Sequence, residues 1–246
     1  MSRRNTVFAA ALSVLALASP LITGCTNPLA DSSFNSGVDK YEQGDYQGAI
    51  TDFTKAIEID PQSADAYHNR GTAKDDLEDY QGAIADYNKA IEINPQFADA
   101  YSNRGNSKIS LGDPQGAIAD YNKAIEINPK DAIAHTNRGN AKDDLEDYQG
   151  AIADYNKAIE INPQYVNAYY NRGVAKYHSK NYQGAIADYT KVIEINPQFA
   201  SAYSIRGMSK YLLGDLKGAC DDARQAADLG DERSAERVRQ CSGMGF

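Results

Sequence analysis

The chain has 246 residues, with 34 acidic against 25 basic side chains and a formal net charge of −9. A surface of that sign repels phosphate backbones, which sets nucleic-acid binding aside. At 42% hydrophobic and 24% charged residues, the composition is that of a folded protein and not of a disordered one.

The first predicted element is a targeting segment. Arg3 and Arg4 precede an uncharged stretch from Asn5 to Ala30, and Val7 to Ala18 is almost wholly apolar. That length suits the h-region of a signal peptide and is short for a membrane span. Pro20 breaks it, and Leu21-Ile22-Thr23-Gly24-Cys25 follows. This run resembles the lipobox of bacterial lipoproteins. The resemblance implies a signal peptide over 1–24, lipidation of Cys25 by acyl chains and a short tether over 25–29. The other readings are an ordinary signal peptide or an uncleaved anchor with an incidental Cys. Loss of residues 1–24, with two Arg and no acid, would take the net charge from −9 to −11. Two or three acyl chains hold a protein on a membrane where one does not. Thr26 in place of Asp favours, by the same resemblance, the outer membrane facing the periplasm.

The rest of the chain is periodic. Gly-Ala-Ile begins at Gly48, Gly82, Gly116, Gly150 and Gly184, and Gly218-Ala219-Cys220 continues the series at the same step of 34. Pro61, Pro95, Pro129, Pro163 and Pro197 keep that step, as do Gly37, Gly71, Gly105, Gly139, Gly173 and Gly207. Residues 75–96 and 143–164 are identical. Six units follow: 30–63, 64–97, 98–131, 132–165, 166–199 and 200–233. Each reads as two helices. In the second unit the first helix is predicted near 65–77, with Asp79 capping a second helix near 80–93. Ala83, Ile84, Tyr87, Ala90 and Ile91 form its apolar stripe, and Asn94-Pro95 ends it. Pro114, directly after the cap Asp113, supports the boundary, because Pro suits a first helical turn.

Tyr67, Gly71, Ala83, Tyr87, Ala90 and Pro95 stand at the offsets of the tetratricopeptide repeat (TPR) family, which the whole of 30–233 resembles. The resemblance implies an all-α fold: a right-handed α-solenoid of six helix-turn-helix units, closed by a capping helix and tail over 234–246. It also implies stability by stacking of neighbours, since no unit buries its faces alone.

Two departures from the family pattern are regular. Arg70, Arg104, Arg138, Arg172 and Arg206 stand where Leu is usual, and Lys40, Lys74, Lys108, Lys142, Lys176 and Lys210 where an aromatic is usual. Asp52, Asp86, Asp120, Asp154, Asp188 and Asp222 recur on the second helices. The expectation is an Arg–Asp–Lys ladder; the other reading is a set of solvated charges.

The last unit ends at Leu229-Gly230-Asp231, a glycine stop, before a final helix near 232–240. Glu236, Arg237 and Arg239 suit the polar outer face of a cap. With Cys25 lipidated in an exported chain, Cys220 and Cys241 are expected to form a disulfide; reduced thiols are the alternative.

Family habit places partner binding on the surface lined by first helices. Carried over here, it gives a groove that is acidic in its middle (His68, Asp75, Asp76, Asn140, Asp143, Asp144) and aromatic–apolar toward its C-terminal end (Tyr170, Tyr177, His178, Met208, Tyr211). A protein or peptide partner of basic and apolar character is expected. The basic clamp that some relatives use for C-terminal carboxylates is missing. The three His, His68, His135 and His178, lie in different units. No catalytic constellation, metal site, cofactor site or small-molecule substrate site stands out. The function expected is therefore that of a lipid-anchored interaction scaffold or adaptor of the cell envelope. Its rival is a holdase-like chaperone or assembly factor for exported proteins. Pilotins of type IV pili and adaptors of cell-wall hydrolases are analogous by fold only.

Overall fold

The computed structural model describes residues 27–243. The signal peptide expected over 1–24, the lipidation expected at Cys25 and the tail residues 244–246 lie outside the described residues. Among those described, the secondary structure is helical throughout. The chain divides into two compact units, with the boundary between Pro129 and Lys130.

The first unit holds three helix pairs: α1 (Pro28–Glu42) with α2 (Tyr46–Ile59), α3 (Ala64–Asp76) with α4 (Tyr80–Ile93), and α5 (Ala98–Ser110) with α6 (Pro114–Ile127). Helix α2 also packs on α3, and α4 on α5, so each pair stacks on the next. Helix α1 begins at Pro28, inside the stretch expected as tether, because Asn27 accepts the Leu29 amide and Pro28 takes the first helical position. The caps behave as read: Asp45, Asp79 and Asp113 each accept the amide three residues on, at 2.9, 3.0 and 2.9 Å.

The second unit holds α7 (Ala132–Asp144) with α8 (Tyr148–Ile161), α9 (Val166–His178) with α10 (Tyr182–Ile195), α11 (Ala200–Leu212) with α12 (Leu216–Asp228), and then α13 (Glu232–Gly243). Helix α8 packs on α9, α10 on α11, and α13 on α12. Both units thus show the α-solenoid arrangement of stacked pairs.

Inside each of the first five pairs one aromatic ring is pressed on one glycine. Phe53, Tyr87 and Tyr121 lie over Gly37, Gly71 and Gly105; Tyr155 and Tyr189 lie over Gly139 and Gly173. These rings are at most 1% exposed. A methyl on any of those glycines would sit 2.6–2.9 Å from the ring, so only Gly lets the two helices close on it.

The charge ladder forms. In the first unit the Asp86 carboxylate takes Arg70 at 2.6 Å and Lys74 at 2.7 Å, and Asp120 takes Arg104 at 2.5 Å and Lys108 at 2.7 Å. Asp52 takes Lys40, Lys55 and Ser36, since its repeat has no arginine at that place. In the second unit Arg138 and Lys142 hold Asp154, Arg172 and Lys176 hold Asp188, and Arg206 and Lys210 hold Asp222. The guanidinium also donates back to the preceding pair: Arg104 to Asn88 at 2.6 Å, Arg206 to Thr190 at 3.1 Å. Except at Arg138, it lies over a tyrosine three residues earlier, Arg104 5.4 Å from the Tyr101 ring centre and Arg206 5.5 Å from that of Tyr203. One cation therefore ties two helices of its own repeat to the repeat before, which fixes the register of stacking.

Candidate partner-binding site

Several residues assigned by sequence to a groove lie in the core instead. His68 is 1% exposed; its ring packs 4.7 Å from Phe97 and 5.7 Å from Tyr87, and Asn103 meets its Nε2 at 3.0 Å. Burial pushes the imidazole pKa down, so His68 is a neutral packing group. Asn140 accepts from Tyr155 and Asn171, Asp143 is 6% exposed, and Tyr170 is wedged against Tyr189 and Phe199. The reason is shared: these positions face the second helix of their own pair and the start of the next repeat, and stacking covers them.

The acidic middle is also weaker than its sequence. Asp75 accepts from Tyr87 at 2.9 Å and from Ser107 at 2.8 Å, and burial raises its pKa to about 6. Asp76, which accepts from Tyr41, and Asp144 are exposed. His178 is exposed and stacks on Tyr148, 5.8 Å between ring centres.

The residues that do converge are Tyr177, Met208 and Tyr211. They line a pocket of about 400 Å³ bounded by α11, α12 and α13, at the small end of the range of roughly 300–1,000 Å³ usual for ligand sites. The origin of the pocket is in the repeat pattern. Ala223 stands 34 residues after Tyr189, so the last repeat lacks the ring that would lie over Gly207. The space opens there, floored by Gly207, Ala219 and Ala223. Tyr211 is 59% and Leu212 47% exposed at its rim.

Helix α13 supplies the far wall. The disulfide Cys220–Cys241 ties it to α12, with 5.8 Å between Cα atoms. Ser234 is fully buried and donates to Asp231 at 2.7 Å. Arg237, assigned by sequence to the solvated outer face of the cap, instead turns inward. Its guanidinium donates to Ser204 at 3.0 Å and to the Met208 sulfur at 3.2 Å. It is the one charged residue among those lining the pocket. Sequence reading missed Ala223, Leu216 and the inward turn of Arg237. The first was legible as a break in the tyrosine series, whereas the other two depend on where α13 packs.

A stack of helix pairs with an apolar, rimmed pocket at one end defines an interaction module. Family models described as TPR repeat match residues 37–74, 76–112 and 144–180, and models described as tetratricopeptide repeat match 98–131, 120–153 and 166–199. The chain belongs to the tetratricopeptide repeat family, a family of protein-interaction scaffolds. Among solved structures it is similar to MamA, with 27% identity over 67% of this chain and 96% of that one (TM-score 0.63). It is similar in fold to YrrB, described as a TPR protein with an unusual peptide-binding site, with 23% identity over 76% and 97% (TM-score 0.66). The same holds for PilW, described as a widely conserved type IV pilus biogenesis factor, with 19% identity over 87% and 99% (TM-score 0.75). Among curated proteins, none matches the chain. No helix among the described residues is long and apolar enough to cross a membrane.

Proposed function

We propose that the protein is a lipid-anchored scaffold of the bacterial cell envelope, held to a membrane by Cys25, which docks a partner protein through the C-terminal end of its second unit. The observation that carries this reading is the pocket between α11, α12 and α13, whose apolar walls and exposed Tyr211 and Leu212 rim form a contact surface. Lipidation is supported by Leu21-Ile22-Thr23-Gly24-Cys25 behind an apolar run. The disulfide fits an oxidising compartment. Placement in the outer membrane facing the periplasm rests on Thr26 after the Cys. Of the groove residues, the proposal keeps Tyr177, Met208 and Tyr211 as contacts, with the exposed His178 beside Tyr177.

The test is crosslinking in intact cells with the native chain, with Met208→Asp/Tyr211→Asp and with Cys25→Ser. The reading expects one dominant partner at fixed stoichiometry, lost in the Asp variant, and release of the Cys25→Ser chain from the membrane fraction. A broad set of unrelated clients, or a partner retained by the Asp variant, would turn the assignment to a chaperone or to another face.

A further inference from the structure

The pocket is specific about its occupant. In the five preceding repeats an aromatic side chain, Phe53, Tyr87, Tyr121, Tyr155 or Tyr189, rests on the glycine of the partner helix. The sixth keeps the glycine, Gly207, and the flanking helices, but Ala223 takes the ring away. What remains is an open pocket of about 400 Å³ beside Gly207 and Ala223, with α13 tied back on its far side by Cys220–Cys241. The polar lining differs from that of the third and fourth repeats and is closer to that of the first, where Val38 accompanies Phe53. Where Asn106 and Asn140 accept the hydroxyls of Tyr121 and Tyr155, the last repeat has Met208. A thioether favours an aromatic edge and offers little to a hydroxyl, so phenylalanine suits the place better than tyrosine.

Charge narrows the occupant further. Each ladder arginine is neutralised by an aspartate, whereas Arg237 spends its guanidinium on a hydroxyl and a sulfur. Among the described residues no carboxylate forms a salt bridge with it; Asp231 feels its charge, but its oxygens are taken by the Ser234 hydroxyl and the Arg233 amide. A cation half-buried beside an apolar pocket favours an anionic neighbour, and a carboxylate matches the guanidinium fork.

We propose that this pocket takes a phenylalanine-like ring from a partner protein, with a carboxylate next to it in the partner's chain bound by Arg237, so that the partner completes the sixth repeat. The inference rests on the scaffold reading above and names the chemistry of its contact.

The test uses the full chain purified in detergent and fluorescein-labelled decapeptides of Gly and Ser with a central Phe between two Glu. Companion probes replace Phe by Ala, or both Glu by Gln. Binding is read by polarisation. The proposal expects the Ala probe to bind about tenfold or more weakly. It expects the Gln probe to lose several-fold, and that loss to vanish in Arg237→Met. Ala223→Tyr supplies the ring from within; that variant should keep its far-UV spectrum, melt higher and no longer bind the Phe probe. The proposal is overturned if Phe and Ala probes bind alike up to about 1 mM, if Glu and Gln probes bind alike, or if Ala223→Tyr binds undiminished. A tenfold gain in affinity on ending the chain at Gly243 would make the chain's own last residues the occupant and would overturn the partner assignment. Crosslinking with Ala223→Tyr separates the two readings. A partner captured equally well leaves the scaffold standing and removes the pocket. Absence of a partner even from the native chain removes the scaffold, while the titration still decides the pocket.

Discussion

Asp120 is the point at which the ladder is most open to measurement. Its side chain is 5% exposed and receives Arg104 at Nε and Nη2 and Lys108 at Nζ, at 3.0, 2.5 and 2.7 Å. Asp120→Ala leaves two cations facing one another in a largely dry site. Breaking a buried ion pair from one side costs about 3–5 kcal/mol. Here the low end applies: Arg104 is 17% and Lys108 24% exposed, Lys108 can turn to water, and Arg104 keeps Asn88 and the Tyr101 ring. The expected loss is about 3 kcal/mol for the α5–α6 pair. The triple change Asp120→Leu/Arg104→Met/Lys108→Met should come back to within about 1 kcal/mol of the native chain, because an apolar set removes the desolvation cost along with the attraction. Glu126→Ala, which frees Lys123 from an exposed pair, should leave the same exchange and unfolding curves unchanged. The assay is native-state hydrogen exchange of the α5 and α6 amides beside urea unfolding, since stacked repeats open locally and a global midpoint underreports the change. A loss below about 1 kcal/mol for Asp120→Ala would mean that the ladder is a row of solvated charges.

Other outcomes follow from single contacts. Gly105→Ala puts a methyl 2.7 Å from the buried Tyr121 ring and should cost about 1–3 kcal/mol by overpacking, read in the same exchange experiment. Cys241→Ser opens a loop of 21 residues' separation and should cost about 3 kcal/mol, with exchange protection lost in α13 before α11. Asp75 gives a pH signature. Its folded pKa, about 6, lies above the ordinary carboxylate value of 3.8, so protonation favours the fold. Its contribution is complete below pH 4 and is lost as pH rises through 6, by about 3 kcal/mol. Asp75→Asn should flatten that segment of the stability curve. Asp52 acts in the opposite sense, because hydrogen bonds from Lys40, Lys55 and Ser36 hold its pKa down. Its contribution is present at neutral pH and is lost as pH falls below the ordinary carboxylate range. Glu146, a non-glycine residue at φ 62°, should gain up to about 1 kcal/mol in thermal melts when changed to Gly.

The order of helices was legible in the sequence because each boundary is set locally. An Asp three residues before a Gly caps a second helix wherever it occurs, and the 34-residue step of Gly and Ala marks where helices touch. The ladder was legible too, since it needs only residue types repeated in register. Its atoms then meet because every repeat folds alike. The disulfide was expected from Cys220 in the last repeat and Cys241 in the capping helix, the two cysteines besides Cys25.

What the sequence could not assign was which polar residues of the first helices remain in water. His68, Asn140, Asp143 and Tyr170 occupy positions that line a groove by family habit, yet the adjoining helix covers them, and covering depends on the spacing of neighbouring helices. Arg237 shows the same limit. On an isolated helix it belongs to a polar face, but once Cys220–Cys241 draws α13 onto α12 its guanidinium points at Ser204 and Met208. The absence of a ring at Ala223 was written in the sequence from the start. That the gap stays open, with Tyr177, Met208 and Tyr211 around it, was decided only by packing, because a cavity exists only when the helices around it are held apart by contacts made elsewhere.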